Sequence, residues 1–182
     1  MNTSILTIAS IFKDALKEVI ERSCQLKVSV SKTAQFIPGI QLSEDIGAFV
    51  NFWGNYKGLM VLNFSGDAAL ELVTAALRNM GMPEDEIPTH YMSDDVRGAL
   101  GELVNHIIGK ARTDIQNKFE LVAHATIPAV VPITTPIGLY FKTTTSSDGH
   151  PCVRLSIRTP QNHRFHMELT TEPTLFTTLS GN

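Results

Sequence analysis

Cysteine is scarce in this sequence: Cys24 and Cys152 are the two among 182 residues. Two thiols so far apart make neither a disulfide framework nor a spaced metal motif. Apolar runs are short as well, and none reaches the roughly 18 residues that a membrane-spanning helix needs. The opening residues lack a basic stretch, an apolar segment and a small-residue cleavage site, so no secretory leader is expected. Asn2 and Asn63, both in N-x-S contexts, then read as chance. Positive charge is also in deficit, with 15 Lys and Arg against 18 Asp and Glu and a formal charge of −3. A nucleic-acid binder usually carries a basic patch or stripe, and this balance argues against one. Gly-x-Ser-x-Gly, P-loop and Gly-x-Gly-x-x-Gly patterns are missing too. What is present, 43% hydrophobic and 18% charged residues, is the composition of a globular protein able to build a core. A reduced, cytoplasmic, single-domain protein is the expectation.

Hydrophobic spacing sets the elements. Ile5, Ile8, Ile11, Phe12, Ala15, Leu16, Val19 and Ile20 form one helical stripe, which predicts a helix over 4–22. "IGAFVNFWGNYKGLMVLNFSG" reads as two strands, 46–53 and 57–64, around a Gly54-Asn55 turn. A second helix is expected over 67–80, stopping at Gly81 with Pro83 beyond. A Pro-punctuated connector leads to Ser93, an expected N-cap, with Asp94 and Asp95 in the first turn of a third helix reaching about Asn117. The β-like stretches "ELVAHATIPAVV", "IGLYFKTTT", "CVRLSIRTP" and "RFHMELT" follow, with a turn at Ser146–Gly149. Helices set apart from hairpin-connected strands predict an α+β fold, a largely antiparallel sheet with long helices packed on it.

The third helix carries a second pattern. On a wheel, Val96, Leu100, Leu103, Val104, Ile107, Ile108, Ala111 and Ile115 share one side, the stripe that buries. Gly98, Glu102, Asn105 and Gly109 fall almost directly opposite. Exposed Glu and Asn are common on helices, but interior glycine costs about 1 kcal/mol relative to alanine. One glycine precedes Glu102 by a turn and the other follows Asn105 by a turn, which clears side chains from the rim of the pair. A bare backbone lets another molecule approach closely. Glu and Asn at i and i+3 then face the same object, one able to hold a cation and the other to donate to and accept from water.

"SDDVRGALGELVNHIIGKARTDI" followed by "FELVAHATIPAVV" resembles the CheC/CheX/FliY phosphatases of bacterial chemotaxis, CheX-like members most closely. The shared features are a helix with Glu-x-x-Asn, a glycine four residues after the Asn, and a following strand with an Ile-Pro turn. Upstream, "YKGLMVLNFSGDAALELVTAAL" is similar to the family's glycine-led strand and the helix after it, so the likeness spans roughly 4–133. The resemblance implies a CheC/CheX-like fold and a phosphatase acting on the phosphoaspartate of a CheY-type response regulator. By match to the motif, Asn105 would orient the attacking water and Glu102 would contact the regulator's active-site lysine, with Gly98 and Gly109 as partner clearance. It also implies that the regulator supplies Mg²⁺ and that this chain needs no cofactor or metal of its own. The N-terminal helix offers only Asp14-Ala-Leu-Lys17 and Glu18-Val-Ile-Glu21, so one motif per chain is expected, the arrangement of CheX-like homodimers. Residues from about 138 to 182 then read as a β-rich extension. The alternatives are a non-catalytic CheC-like module that binds a signalling or flagellar-motor partner, and a structural domain with a vestigial motif.

His150, Cys152, His163 and His166 are the nearest approach to a metal cluster, but alternation along a strand would split His163 and His166 between faces. His106 is expected on the flank of the pair, and Trp53 as a core aromatic of the hairpin.

Overall fold

The computed structural model describes residues 3–140 and 151–172. Among them are three α-helices and ten β-strands. α1 (Thr3–Cys24) buries the predicted stripe, with Ile5, Ile8, Phe12, Leu16, Val19 and Ile20 at most 1% exposed. Three short strands follow, β1 (Ser29–Val30), β2 (Gln35–Ile37) and β3 (Ile40–Leu42). β4 (Ile46–Gly54) and β5 (Gly58–Phe64) form the expected hairpin, in register from Ile46↔Phe64 to Phe52↔Gly58.

The connection is not the tight Gly54-Asn55 turn that the dipeptide predicts. Gly54 continues β4 at φ +142° and pairs with Ala123, and a Cβ there would lie 2.5 Å from the Val122 carbonyl oxygen. Only glycine admits both that dihedral and that approach. Asn55 donates its N–H to the Val122 carbonyl at 2.9 Å and accepts from the Val122 N–H through Oδ1 at 2.8 Å. Tyr56 turns into the core and is 1% exposed.

α2 (Gly66–Asn79) starts where Ser65 Oγ accepts from the Ala68 N–H at 3.2 Å. α3 (Asp94–Phe119) starts where Ser93 Oγ accepts from the Val96 N–H at 3.3 Å and stops at Glu120, which has φ +57°. A single 3₁₀ turn, Glu84–Glu86, sits in the connector. The remaining strands are β6 (Ala123–Ala125), β7 (Ala129–Pro132), β8 (Ile137–Leu139), β9 (Cys152–Arg158) and β10 (Arg164–Thr171).

The main sheet runs β1-β9-β10-β5-β4-β6, with β2 also on β9 and β7 also on β4. Each pairing is antiparallel, and β3 and β8 form a separate antiparallel pair. The architecture is α+β, as the sequence predicts. Period-2 alternation sorts each strand between two faces. Ile46, Ala48, Val50, Phe52, Met60, Leu62, Phe64, Phe165, Met167 and Leu169 pack with the three helices in one core. On the opposite face Val61 and Cys152 pack with Ile40 and Leu42 of the small sheet. Two buried polar groups there are satisfied: Glu168 accepts from Arg154 Nε and from the Gln41 N–H, while Asn63 bridges the Gln41 carbonyl and the Glu44 N–H.

One expectation is corrected. The sequence reading places a core at about 4–133 and an extension at 138–182. β10 instead lies between β9 and β5 in the middle of the sheet, with Phe165 stacked on Phe64 at 5.0 Å between ring centroids. The reason is its alternating Phe165, Met167 and Leu169, which complete the apolar face beneath the helices. Of "IGLYFKTTT", Ile137–Leu139 is a strand, and it pairs with β3 rather than the main sheet. Residues 141–150, including the Ser146–Gly149 turn, lie outside the described residues.

Candidate functional site

α3 is anchored along its buried side. All eight residues of the predicted stripe are buried, and Phe119 joins them. Arg112 Nε donates to the Ala123 carbonyl at 2.7 Å, tying the helix to β6. Lys110 Nζ lies 2.7 Å from Asp114 and 3.0 Å from Glu18 of α1. That last contact also occupies one of the acidic positions of α1 noted in the sequence.

Glu102 and Asn105 emerge on the opposite side, both exposed. They line one open cleft of about 470 Å³ with Asp94, Arg97, Gly98, Gly101, Ile127, Pro128 and Val130. A Cβ added at Gly98 or Gly109 would meet nothing within 4 Å. Packing among the described residues therefore gives no reason for glycine at either position. Gly101 differs, since its Cβ would sit 3.7 Å from Val130 Cγ2 at the cleft floor, an ordinary contact. Gly98 lines the cleft, whereas Gly109 lies outside its lining, a turn beyond Asn105.

The far wall comes from a break in the sheet edge. β6 and β7 both pair with β4, at Phe52–Gly54 and at Ile46–Phe49. Between them Thr126 donates its N–H to the Asn51 carbonyl at 2.9 Å, and its Oγ1 accepts from the Asn51 N–H at 3.1 Å. Ile127 and Pro128 follow, and Ile127 is 89% exposed. Arg97 and Asp94 also line the cleft and form an ion pair. The helical wheel identifies Glu102, Asn105 and Gly98. It does not reach Gly101, Arg97 or Ile127 as cleft residues, because a wheel carries no information about which strand lies across from the helix. The Ile-Pro dipeptide next to a β-like run is the signal that was available.

The other sequence candidates disperse. His150 lies outside the described residues. Cys152 is buried beneath the small sheet. His163 precedes β10, and its Nδ1 is 2.8 Å from Glu71 Oε2 on α2. His166 faces the back of the sheet, where burial, then Arg154, Arg164 and Arg158, push its pKa down to about 4. Among the described residues no group of three or more His, Cys, Asp or Glu could hold a metal ion. His106 is exposed and outside the cleft lining. Trp53 is corrected: it is 46% exposed and lies 5.9 Å from the His124 ring. Its neighbour Phe52 takes the inward parity, so Trp53 must face out.

Comparison with known proteins places the fold. The sequence pattern of the family described as "Protein of unknown function (DUF3334)" matches residues 4–181. The chain belongs to that family. No curated protein matches this DUF3334 chain in sequence. Its fold is that of the CheX, CheC-like and FliY chemotaxis proteins. The chemotaxis protein CheX from Desulfovibrio desulfuricans superposes with a TM-score of 0.74 at 20% identity, covering 91% of this chain and 99% of that one. A CheC-like superfamily protein from a Shewanella species gives 0.72 at 17% identity, over 95% and 100% of the two chains. A CheX–CheY–BeF₃–Mg²⁺ complex from Borrelia burgdorferi gives 0.64 at 18% identity, over 92% and 99%. At these identities the likeness is one of fold. No helix among the described residues is long and apolar enough to cross a membrane.

Proposed function

We propose that this DUF3334 chain is a CheX-like phosphatase that hydrolyses the phosphoaspartate of a CheY-type response regulator. The observation that carries the reading is the exposed Glu102–Asn105 pair on a rigid helix, beside glycines whose added Cβ atoms would meet nothing within 4 Å among the described residues. A fold shared with a protein that was crystallised as a CheX–CheY complex supports CheY-type chemistry for the partner.

In this reading α3 docks over the regulator's phosphorylated aspartate. The Asn105 carboxamide accepts from a water and holds it in line with phosphorus, opposite the aspartyl oxygen. Attack forms the new P–O bond, the bond to the aspartyl oxygen breaks, and the regulator regains its carboxylate as inorganic phosphate leaves. Glu102 pairs with the regulator's active-site lysine and fixes the docking. The regulator supplies Mg²⁺. Such a division of labour fits phosphoryl transfer, where positioning and electrostatics provide most of the acceleration. The protein works in the cytoplasm as a homodimer with one site per subunit.

The test measures loss of phosphate from phosphorylated CheY-type receivers of the host organism, with wild type, Asn105→Ala and Glu102→Ala. Wild type accelerates the loss for at least one receiver, and Asn105→Ala lowers that acceleration roughly a hundredfold. Binding without acceleration by wild type overturns the phosphatase reading in favour of a non-catalytic module. Full acceleration by both variants overturns the site. Light scattering that returns a monomer removes the homodimer from the reading.

A further inference from the structure

We infer that Ile127 is the apolar anchor by which a partner is seated on the Glu102–Asn105 cleft; the inference rests on the phosphatase reading for the identity of that partner, a CheY-type receiver. Ile127 is 89% exposed, the highest value among the large hydrophobic residues on the described surface. An isoleucine left in water forgoes the stabilisation that burial provides, and nothing among the described residues covers it. It is also held firmly. The backbone on its N-terminal side is pinned by two hydrogen bonds between Thr126 and Asn51, at 2.9 and 3.1 Å. On its C-terminal side Pro128 restricts φ, and β7 pairs with β4 from Ala129 onward. A backbone already in place leaves only the side chain to be ordered on binding, and a β-branched isoleucine has few χ1 states to lose.

Ile127 lines the same cleft as Glu102 and Asn105, on the wall contributed by the sheet edge rather than by α3. A partner that reaches the pair must therefore cover Ile127. The polar pair sets what chemistry is engaged, and the isoleucine adds apolar contact that no polar surface residue would give. The partner accordingly presents an apolar depression beside its phosphorylated site. Well-packed anchors of this kind, surrounded by weaker contacts, carry much of the affinity of protein interfaces.

The experiment separates this role from the chemistry. The probe is a receiver domain held in its active form with beryllofluoride and Mg²⁺, so that binding is read without turnover. Ile127→Ser raises the dissociation constant roughly tenfold to a hundredfold, the fold-change that loss of a buried isoleucine contact implies. Ile127→Leu restores most of the affinity, and the melting temperatures of both variants match wild type. In turnover, Ile127→Ser slows dephosphorylation at low protein concentration, and raising the concentration recovers the rate, whereas Asn105→Ala stays slow at every concentration. Wild-type affinity in Ile127→Ser overturns the anchor while leaving the phosphatase reading intact. Equal weakening by the serine and leucine variants overturns an apolar contact. Failure of every receiver to bind wild type overturns the anchor and its partner together, and failure to be dephosphorylated despite tight, Ile127-dependent binding overturns only the catalytic reading.

Discussion

Gly98 and Gly109 stand at solvent-facing positions of a long helix where a methyl group would touch nothing. Replacing either with alanine removes backbone freedom from the unfolded chain without adding a clash. Each variant is expected to gain about 0.5–1 kcal/mol in chemical denaturation. If the glycines serve as clearance, the same Gly98→Ala change weakens binding to the activated receiver. A stabilised variant with undiminished binding would show that the bare backbone has no partner. The two measurements distinguish a helix defect from a functional gap. Asn105 and Glu102 differ from the glycines in kind, since in the proposed function they carry the groups that touch the partner.

At the scale of elements, α3 is a rod held along its length and aimed by its start. Ser93 Oγ satisfies the Val96 N–H at 3.3 Å, while Asp94 and Asp95 complement the positive end of the helix dipole. Ser93→Ala is expected to lower stability by about 0.5–2 kcal/mol in denaturant titration, the usual loss for an N-cap. A change below about 0.3 kcal/mol would mean that water or a neighbouring group caps the helix equally well. The edge formed by β6 and β7 is the second element of the site. Its break at Ile127-Pro128 was present in the sequence as a dipeptide, yet its use depends on β4 holding both halves in register with α3 lying alongside.

For the whole molecule, the back of the sheet sets a pH dependence. His166 lies between β5 and β9 on a face that also carries Arg154, Arg158, Arg164 and Glu44. Burial first, then the three arginines, push its pKa from 6.5 down to about 4. Between those values the unfolded chain takes up a proton that the folded chain refuses. Stability is therefore expected to fall as pH drops from about 6.5 to about 4, by on the order of 1–3 kcal/mol. Glu168 on the same face is pushed upward by burial and acts in the opposite sense. The difference between wild type and His166→Gln isolates the histidine. Denaturation curves with the same pH slope for both proteins would refute the assignment.

Helix existence, the buried stripe of α3, its Ser93 cap and the outward Glu102–Asn105 pair were legible in the sequence because they depend on local spacing. Period 3.6 and capping chemistry act within a few residues, and tertiary contact did not override them here. The outward face of Trp53 was not legible because alternation alone does not say whether Phe52 or Trp53 meets the helices, and the three-residue connection through Tyr56 was not, because Gly54 stays in β4 by pairing with Ala123 of β6, distant in the chain. The central place of β10 was hidden for the same reason. Its alternation predicts a strand but not which neighbours it takes. An antiparallel sheet selects pairings by which apolar faces complete the core, and that choice is made only when the chain closes on itself. The sequence by itself determined that α3 offers a carboxylate and a carboxamide to the outside. The tertiary structure alone decided that Ile127 stands across from them, because a sheet edge and a helix face become one cleft only in the packed molecule.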